Sequence, residues 1–217
     1  MKSTSIAVLL LSLPACAFAV EKPDGILGID EIWAGYSYNK YDYGYYGYGS
    51  DNLDVVGVGL GKNVIDNGKF GVDAGFCYSH AYGDGFMDWY DYEADTLSAN
   101  ATAFFKGTVS PYVSIGVSYS KVEIDYSYAY YEDENDDCWT TFGTVGLEIR
   151  IVHGLSGRVF VEEAHACSGE TPSNQTIYGA SLSYWFTDRI GFSIEESYSN
   201  YIHVDAWATS ATLRYHF

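Results

Sequence analysis

In the last eleven residues of this chain, Trp207, Thr209, Ala211, Leu213, Tyr215 and Phe217 fall on one parity, and Ala208, Ser210, Thr212, Arg214 and His216 on the other. One face is mostly apolar and the other polar, which is the two-residue period of a β-strand. The same alternation recurs ten times along the chain. After the leader, no segment approaches the uninterrupted apolar run of about 20 residues that a spanning helix needs. The pattern therefore predicts an all-β fold.

The first nine strands read in the same way. Ile32, Ala34, Tyr36 and Tyr38 stand against Glu31, Gly35, Ser37 and Asn39; Val56, Val58 and Leu60 stand against Gly57, Gly59 and Gly61. Further along, Phe76 and Tyr78 oppose Asp73, Gly75 and Cys77, and Val113, Ile115 and Val117 oppose Ser114, Gly116 and Ser118. In the fifth strand Val122 and Ile124 fall out of phase, so a bulge is expected near Lys121, or a strand that has already left its apolar surroundings. The seventh, with Val159 and Val161 outward and Arg158, Phe160 and Glu162 inward, is the weakest, which leaves eight strands as the alternative count.

Connection lengths alternate too. Asp66-Asn67-Gly68, residues 107–111, His153-Gly154 and Thr187-Asp188-Arg189 are short turns. Residues 41–52, 82–95, 125–137, 164–175 and 198–205 read as long polar connections. A soluble ligand-carrying barrel would turn its large apolar residues inward, whereas here the face opposite the apolar one is Gly, Ser, Thr, Asn and charge. The expectation is a closed antiparallel transmembrane β-barrel with its oily face toward lipid, because an open edge in hydrocarbon leaves backbone groups unpaired.

Residues 1–19 have a basic start at Lys2, an apolar middle from Ile6 to Leu13 and small residues at Ala17-Phe18-Ala19, the pattern of a secretory signal peptide. A lipoprotein box at Leu13-Pro14-Ala15-Cys16 competes with it, and proline fits that motif poorly. Residues 20–217 are then one domain. The chain carries a net charge of -18, which argues against nucleic acid as a partner.

The terminal aromatic Phe217, with Tyr215 two residues before it, resembles the closing strand of bacterial outer-membrane barrels, where the terminal aromatic serves as an assembly signal. Over its whole mature length the chain resembles small outer-membrane β-barrel proteins, the group that includes OmpA-like and opacity-type proteins. That resemblance implies an integral outer-membrane protein used for envelope structure, adhesion or surface interaction. Its partners would be outer-membrane lipid and lipopolysaccharide, the barrel-assembly machinery and an extracellular ligand of the loops. A narrow solute pore is the second reading.

The inward-facing charges Glu31, Asp73, Lys106, Glu148, Arg150, Arg158 and Arg214 all lie near a short turn or a chain end, and predict a cross-barrel salt-bridge network plugging the lower lumen. No catalytic residue, cofactor or metal site is assigned. His165-Ala166-Cys167-Ser168 faintly resembles the His and Ser of lipid A deacylases, with Cys167 where that family has serine. His203 and Asp205 resemble one half of an omptin site, without its aspartate pair. The acidic stretches around Asp91 and Asp136 suit hard cations but read first as a solvated rim. Cys138 and Cys167 lie at nearly equal distances from the turn His153-Gly154, which predicts a disulfide at the extracellular rim that leaves Cys77 outside it.

Overall fold

The computed structural model describes residues 31–42, 50–85, 90–126, 134–152, 154–166, 173–187, 189–201 and 204–217. The leader, the lipoprotein box, Cys167, His203 and the tips of the long connections lie outside the described residues. Ten strands are described: β1 (Glu31–Asp42), β2 (Ser50–Asp66), β3 (Phe70–Gly85), β4 (Tyr90–Phe105), β5 (Val109–Tyr126), β6 (Glu134–Val152), β7 (Leu155–Ala166), β8 (Ser173–Trp185), β9 (Ile190–Tyr201) and β10 (Val204–His216). Each pairs antiparallel with its neighbours in sequence, and β1 closes on β10 in unbroken register from Glu31–His216 to Asp42–Asp205. The weak seventh strand is a full member of the sheet.

The short turns are built by local hydrogen bonds. At the β2–β3 turn, Gly68 takes a positive φ of 82° and its N–H donates to Asp66 Oδ1 at 2.8 Å, while Asn67 Oδ1 accepts from Lys69 and Phe70 N–H at 3.1 and 2.7 Å. The β8–β9 turn uses Thr187 Oγ1 in the same way, accepting from Arg189 and Ile190 N–H. The turn expected at residues 107–111 is shorter, because β5 begins at Val109. Pro111 is tolerated inside the strand since β4 first pairs one residue later, at Phe104–Tyr112.

The outward face is an apolar band. Ile115 is 66% exposed, and Ile32, Val58, Val145, Leu182, Leu213 and Phe217 are all more than half exposed. So continuous an oily surface is covered only by lipid. On β5 it runs from Val109 to Tyr119, roughly 25 Å once the strand tilt of such barrels is allowed for. Short turns face the periplasm and the longer ends of the strands the exterior.

Above that band the strands continue, and the polarity of their two faces reverses. In β5, Lys121, Glu123 and Asp125 point out into solvent while Val122 and Ile124 are buried in the lumen at 1% and 4% exposure. The pairing of β5 with β4 and β6 shows no register shift there. The phase change is therefore not a bulge. The strand has left the membrane, and with water outside, the apolar residues turn inward. The same reversal runs through β2, with Leu53 and Val55 inside, and β4, with Tyr92 and Ala94 inside. It also corrects the expected long loops at 82–95 and 125–137, much of which is strand: β3 and β4 stay paired up to Gly85–Tyr90. Register shifts occur instead near the periplasmic turns, at Asn63/Ile65 and Arg150/Val152.

This placement makes a graded prediction. Ile115→Arg, in the lipid-facing band, lowers folding stability in vesicles by about 2–4 kcal/mol, and Val122→Arg, which strands a charge in the apolar upper lumen, by at least about 3 kcal/mol. Glu123→Arg, facing water, changes it by less than about 0.5 kcal/mol. Urea titrations followed by tryptophan fluorescence read all three; a neutral Val122→Arg together with a costly Glu123→Arg contradicts the reversal.

Candidate functional site: the barrel lumen

Closure fixes the width of the lumen, and inward side chains fill it in two tiers. The lower tier is charged. Arg214 of β10 pairs with Glu31 of β1, Nη1 to Oε1 at 2.8 Å, with the side chains 4% and 0% exposed, and its Nε–H donates to Ser193 Oγ of β9 at 3.0 Å. Arg158 of β7 spans β8 to reach Glu195 of β9, Nη2 to Oε2 at 2.7 Å, and its guanidinium lies 5.9 Å from the Tyr112 ring centroid and 5.3 Å from that of Phe160. Glu162 accepts from Thr144 Oγ1 at 2.7 Å, and Asp73 from Asn63 Nδ2 at 2.8 Å. Hydroxyl pairs continue upward, Thr102 with Ser114 and Thr96 with Ser120 at 2.9 Å each. Removing one partner of a buried ion pair leaves the other charge uncompensated, which costs several kcal/mol.

The upper tier is largely apolar: Tyr41, Leu53, Val55, Tyr92, Val122 and Ile124 pack with Ala81, Ala94 and Val204 into one buried cluster, beside the buried polar side chains of Asp51, Gln175 and Ser199. Nothing in the expected charge network foretold this cap.

Glycines join the tiers to the wall. Six inward aromatics each lie directly across the ladder from a glycine: Trp33 from Gly59, Phe104 from Gly71, Phe142 from Gly116, Tyr112 from Gly146, Phe160 from Gly179 and Trp185 from Gly191. A Cβ at Gly179 would come within 2.1 Å of the Phe160 ring, and one at Gly59 within 2.4 Å of Trp33. The rings therefore lie flat over bare backbone, which sets how much of the bore each one fills.

Of the seven lumen charges read from the sequence, Glu31 and Arg214 meet each other, and Arg158 finds an acid outside that set. Arg158 is the register neighbour of Glu148, and its guanidinium forms an ion pair with Glu195. Glu162 and Glu195 are the carboxylates that the network left out, although both fall on inward parity. Lys106 follows the end of β4 and pairs with Asp66 beside the β2–β3 turn at 2.6 Å, its side chain 11% exposed at the periplasmic end of the barrel. There the Lys106 ammonium, together with the Gly68 N–H, holds the Asp66 carboxyl below its ordinary range. Arg150 is half-buried beside the β6 irregularity, its backbone N–H donating to Thr108 O at 2.9 Å.

Cys138 is a buried thiol in the upper lumen, 3.7 Å from Thr140 Oγ1 and not in a disulfide. The β6–β7 register pairs residues of like parity, Thr140 with Ala166 and Thr141 with His165. Cys138 and Cys167 are of unlike parity, a point that counting from the turn overlooked. His165 faces outward, hydrogen-bonded to Asn174, and Asp205 accepts from Tyr198 and Asn200 at 2.7 and 2.6 Å. Neither enzyme-like motif is directed into the lumen by its described residues. Among the described residues no three His, Cys, Asp or Glu converge on a metal position.

At the extracellular edge of the band an aromatic girdle is tied to the polar wall above it. Tyr36 donates to Asp54, Tyr38 to Asn52 at 2.7 Å and Tyr78 to Asp95 at 2.6 Å. The ring lies in the interface and the hydroxyl reaches water.

The glycine–aromatic pairing is testable by a double-mutant cycle. Gly179→Ala costs about 1–3 kcal/mol of stability by overpacking. In a Phe160→Leu background most of that cost disappears, a coupling that additive effects of the two changes would contradict.

The family described as outer membrane protein beta-barrel domain matches residues 4–186. Among curated proteins none matches the chain. Of solved structures, the transport unit of the autotransporter AIDA-I from Escherichia coli superposes with a TM-score of 0.55 at 9% identity, over 98% of this chain and 97% of that one. The beta domain of the Bordetella autotransporter BrkA gives 0.53 at 11% identity over 87% and 100%. The translocator domain of the autotransporter NalP from Neisseria meningitidis gives 0.52 at 9% over 88% of each. At such identities the likeness is one of fold. With its closed ten-stranded wall, apolar outer band and a match over most of its length, the chain belongs to the outer-membrane β-barrel family and is an integral protein of the outer membrane.

Proposed function

We propose that this protein is a non-conducting, non-enzymatic barrel that supports the envelope and meets its surroundings through its acidic, tyrosine-rich extracellular rim. The observation that carries this reading is the filling of the lumen from the Arg214–Glu31 pair at the bottom to the apolar cap around Val122 at the top. Ions crossing such a bore would have to break buried ion pairs and then enter a largely apolar layer, each step disfavoured.

The proposed partners follow from the two outer surfaces. The apolar band meets acyl chains and lipopolysaccharide, Tyr215 and Phe217 engage the assembly machinery, and the rim with its loops takes an extracellular ligand. A net charge of -18 keeps nucleic acid away.

Planar-bilayer recording of the refolded protein tests the reading, with no steady conductance expected. A reproducible open channel whose ion selectivity changes in Glu148→Gln supports the narrow-pore alternative instead. Turnover of lipopolysaccharide or of a peptide library, abolished by His165→Ala or His203→Ala, would overturn the non-enzymatic assignment.

A further inference from the structure

The lipid-facing band is not uniform around the barrel. Just inside the aromatic girdle, the outward residues of β2–β5 are apolar, among them Val58, Phe76, Leu97 and Val117. On the other half of the wall two glutamates interrupt it.

Glu196 is the outward residue of β9 between Ile194 and Tyr198, and it pairs in register with Thr209 of β10, which lies between Ala211 and Trp207. The Tyr198 and Trp207 rings, with centroids 4.6 Å apart, stand on the extracellular side of that pair. The carboxylate is thus membrane-ward of the girdle, with Thr209 Oγ1 2.9 and 3.0 Å from its two oxygens. Glu163 of β7 pairs with Gly143 of β6, two outward positions membrane-ward of Trp139, and accepts from Thr176 Oγ1 at 2.7 Å. Both glutamates are exposed.

A single hydroxyl leaves most of a carboxylate's acceptor capacity facing acyl chains. Ionisable groups at that depth are costly and ordinarily face protein or a water-filled cavity. Among the described residues the outward lysines Lys40 and Lys121 lie beyond Tyr38 and Tyr119 toward the extracellular side, and Lys62 lies near the periplasmic end of β2, so a second copy of this chain presents no described lysine at the matching depth. Lipopolysaccharide brings phosphate, of the same sign as the glutamates. Between the acids, Ala180 of β8 pairs with Glu196 on one side and Val159 on the other, a low point where a neighbouring backbone approaches closely.

We infer that the β7–β9 wall is a lateral interface covered, within the membrane, by another outer-membrane protein that presents a lysine or arginine at the depth of Glu196. This rests on the membrane placement of the barrel and not on whether its lumen conducts.

A photoreactive benzoylphenylalanine placed at Ala180, or at Ala101 on the opposite wall, tests it in intact cells, with folding checked by heat-modifiability. The expected result is a protein adduct from position 180 and none from 101. The crosslinked partner peptide carries Lys or Arg within a segment of alternating polarity. The adduct falls roughly tenfold in Glu196→Gln, where the charge is lost, and persists in Glu196→Asp, where it is kept. Lipid adducts alone at 180, an adduct indifferent to Glu196→Gln, equal adducts from both walls, or an adduct to a second copy of this chain would each overturn the inference.

Discussion

Hydrocarbon offers no partner for a backbone amide, and that constraint organises the molecule. Each unpaired N–H or C=O in the membrane costs several kcal/mol, so the sheet must close on itself. The β1–β10 seam does this with an uninterrupted ladder from Glu31–His216 to Asp42–Asp205. Once closed, ten strands enclose a bore whose width is no longer free to adjust, and the inward side chains have to fill it. The six glycine–aromatic pairs are one answer, since a ring fits only where the facing residue lacks a side chain. The buried Arg–Glu pairs are the other: Arg214–Glu31 ties the two strands of the closing seam, and Arg158–Glu195 reaches from β7 over β8 to β9.

A second boundary, between lipid and water, cuts across every strand. Below it the outer face is apolar and the inner one polar; above it, on β2, β4 and β5, the order is reversed without a change of register. β5 shows both regimes in one element, with Ile115 outward in lipid and Val122 inward above it. The tyrosines mark the crossing, and their hydroxyl bonds to Asp54, Asn52 and Asp95 join the two regimes. Glu163 and Glu196 break this order on one side of the barrel only.

Strand count, the facing of the membrane segments and the short turns were legible in the sequence because one face of each strand meets a single solvent, so the two-residue period carries the signal. Where the solvent changes, the same period changes meaning. Residues 82–95 and 125–137 looked like loops because their outward residues are acidic, yet much of that stretch is paired strand. Facing could be read from parity alone, and it placed Glu31, Arg158, Arg214 and Glu162 inside. Partner choice could not, because Arg158 reaches Glu195 on a strand two away, which only the curvature of the closed wall brings near. The partner of Lys106, Asp66, was not legible either, because it belongs to the neighbouring turn and becomes a neighbour only once β2, β3 and β4 are aligned. The pairing of glycines with aromatics is a matter of register, and register becomes visible only once the strands are aligned.

The polarity of β5 reverses while the strand keeps its register, and spin-label accessibility scanned along β5 in lipid vesicles measures that most directly. Labels at 113, 115, 117 and 119 should collide with oxygen dissolved in the bilayer, and labels at 121, 123 and 125 with a water-soluble nickel chelate. Labels at 114, 118, 120, 122 and 124 should be shielded from both. A shift of phase beyond 121, with positions 122 and 124 open to the nickel chelate and 123 and 125 shielded, would contradict it.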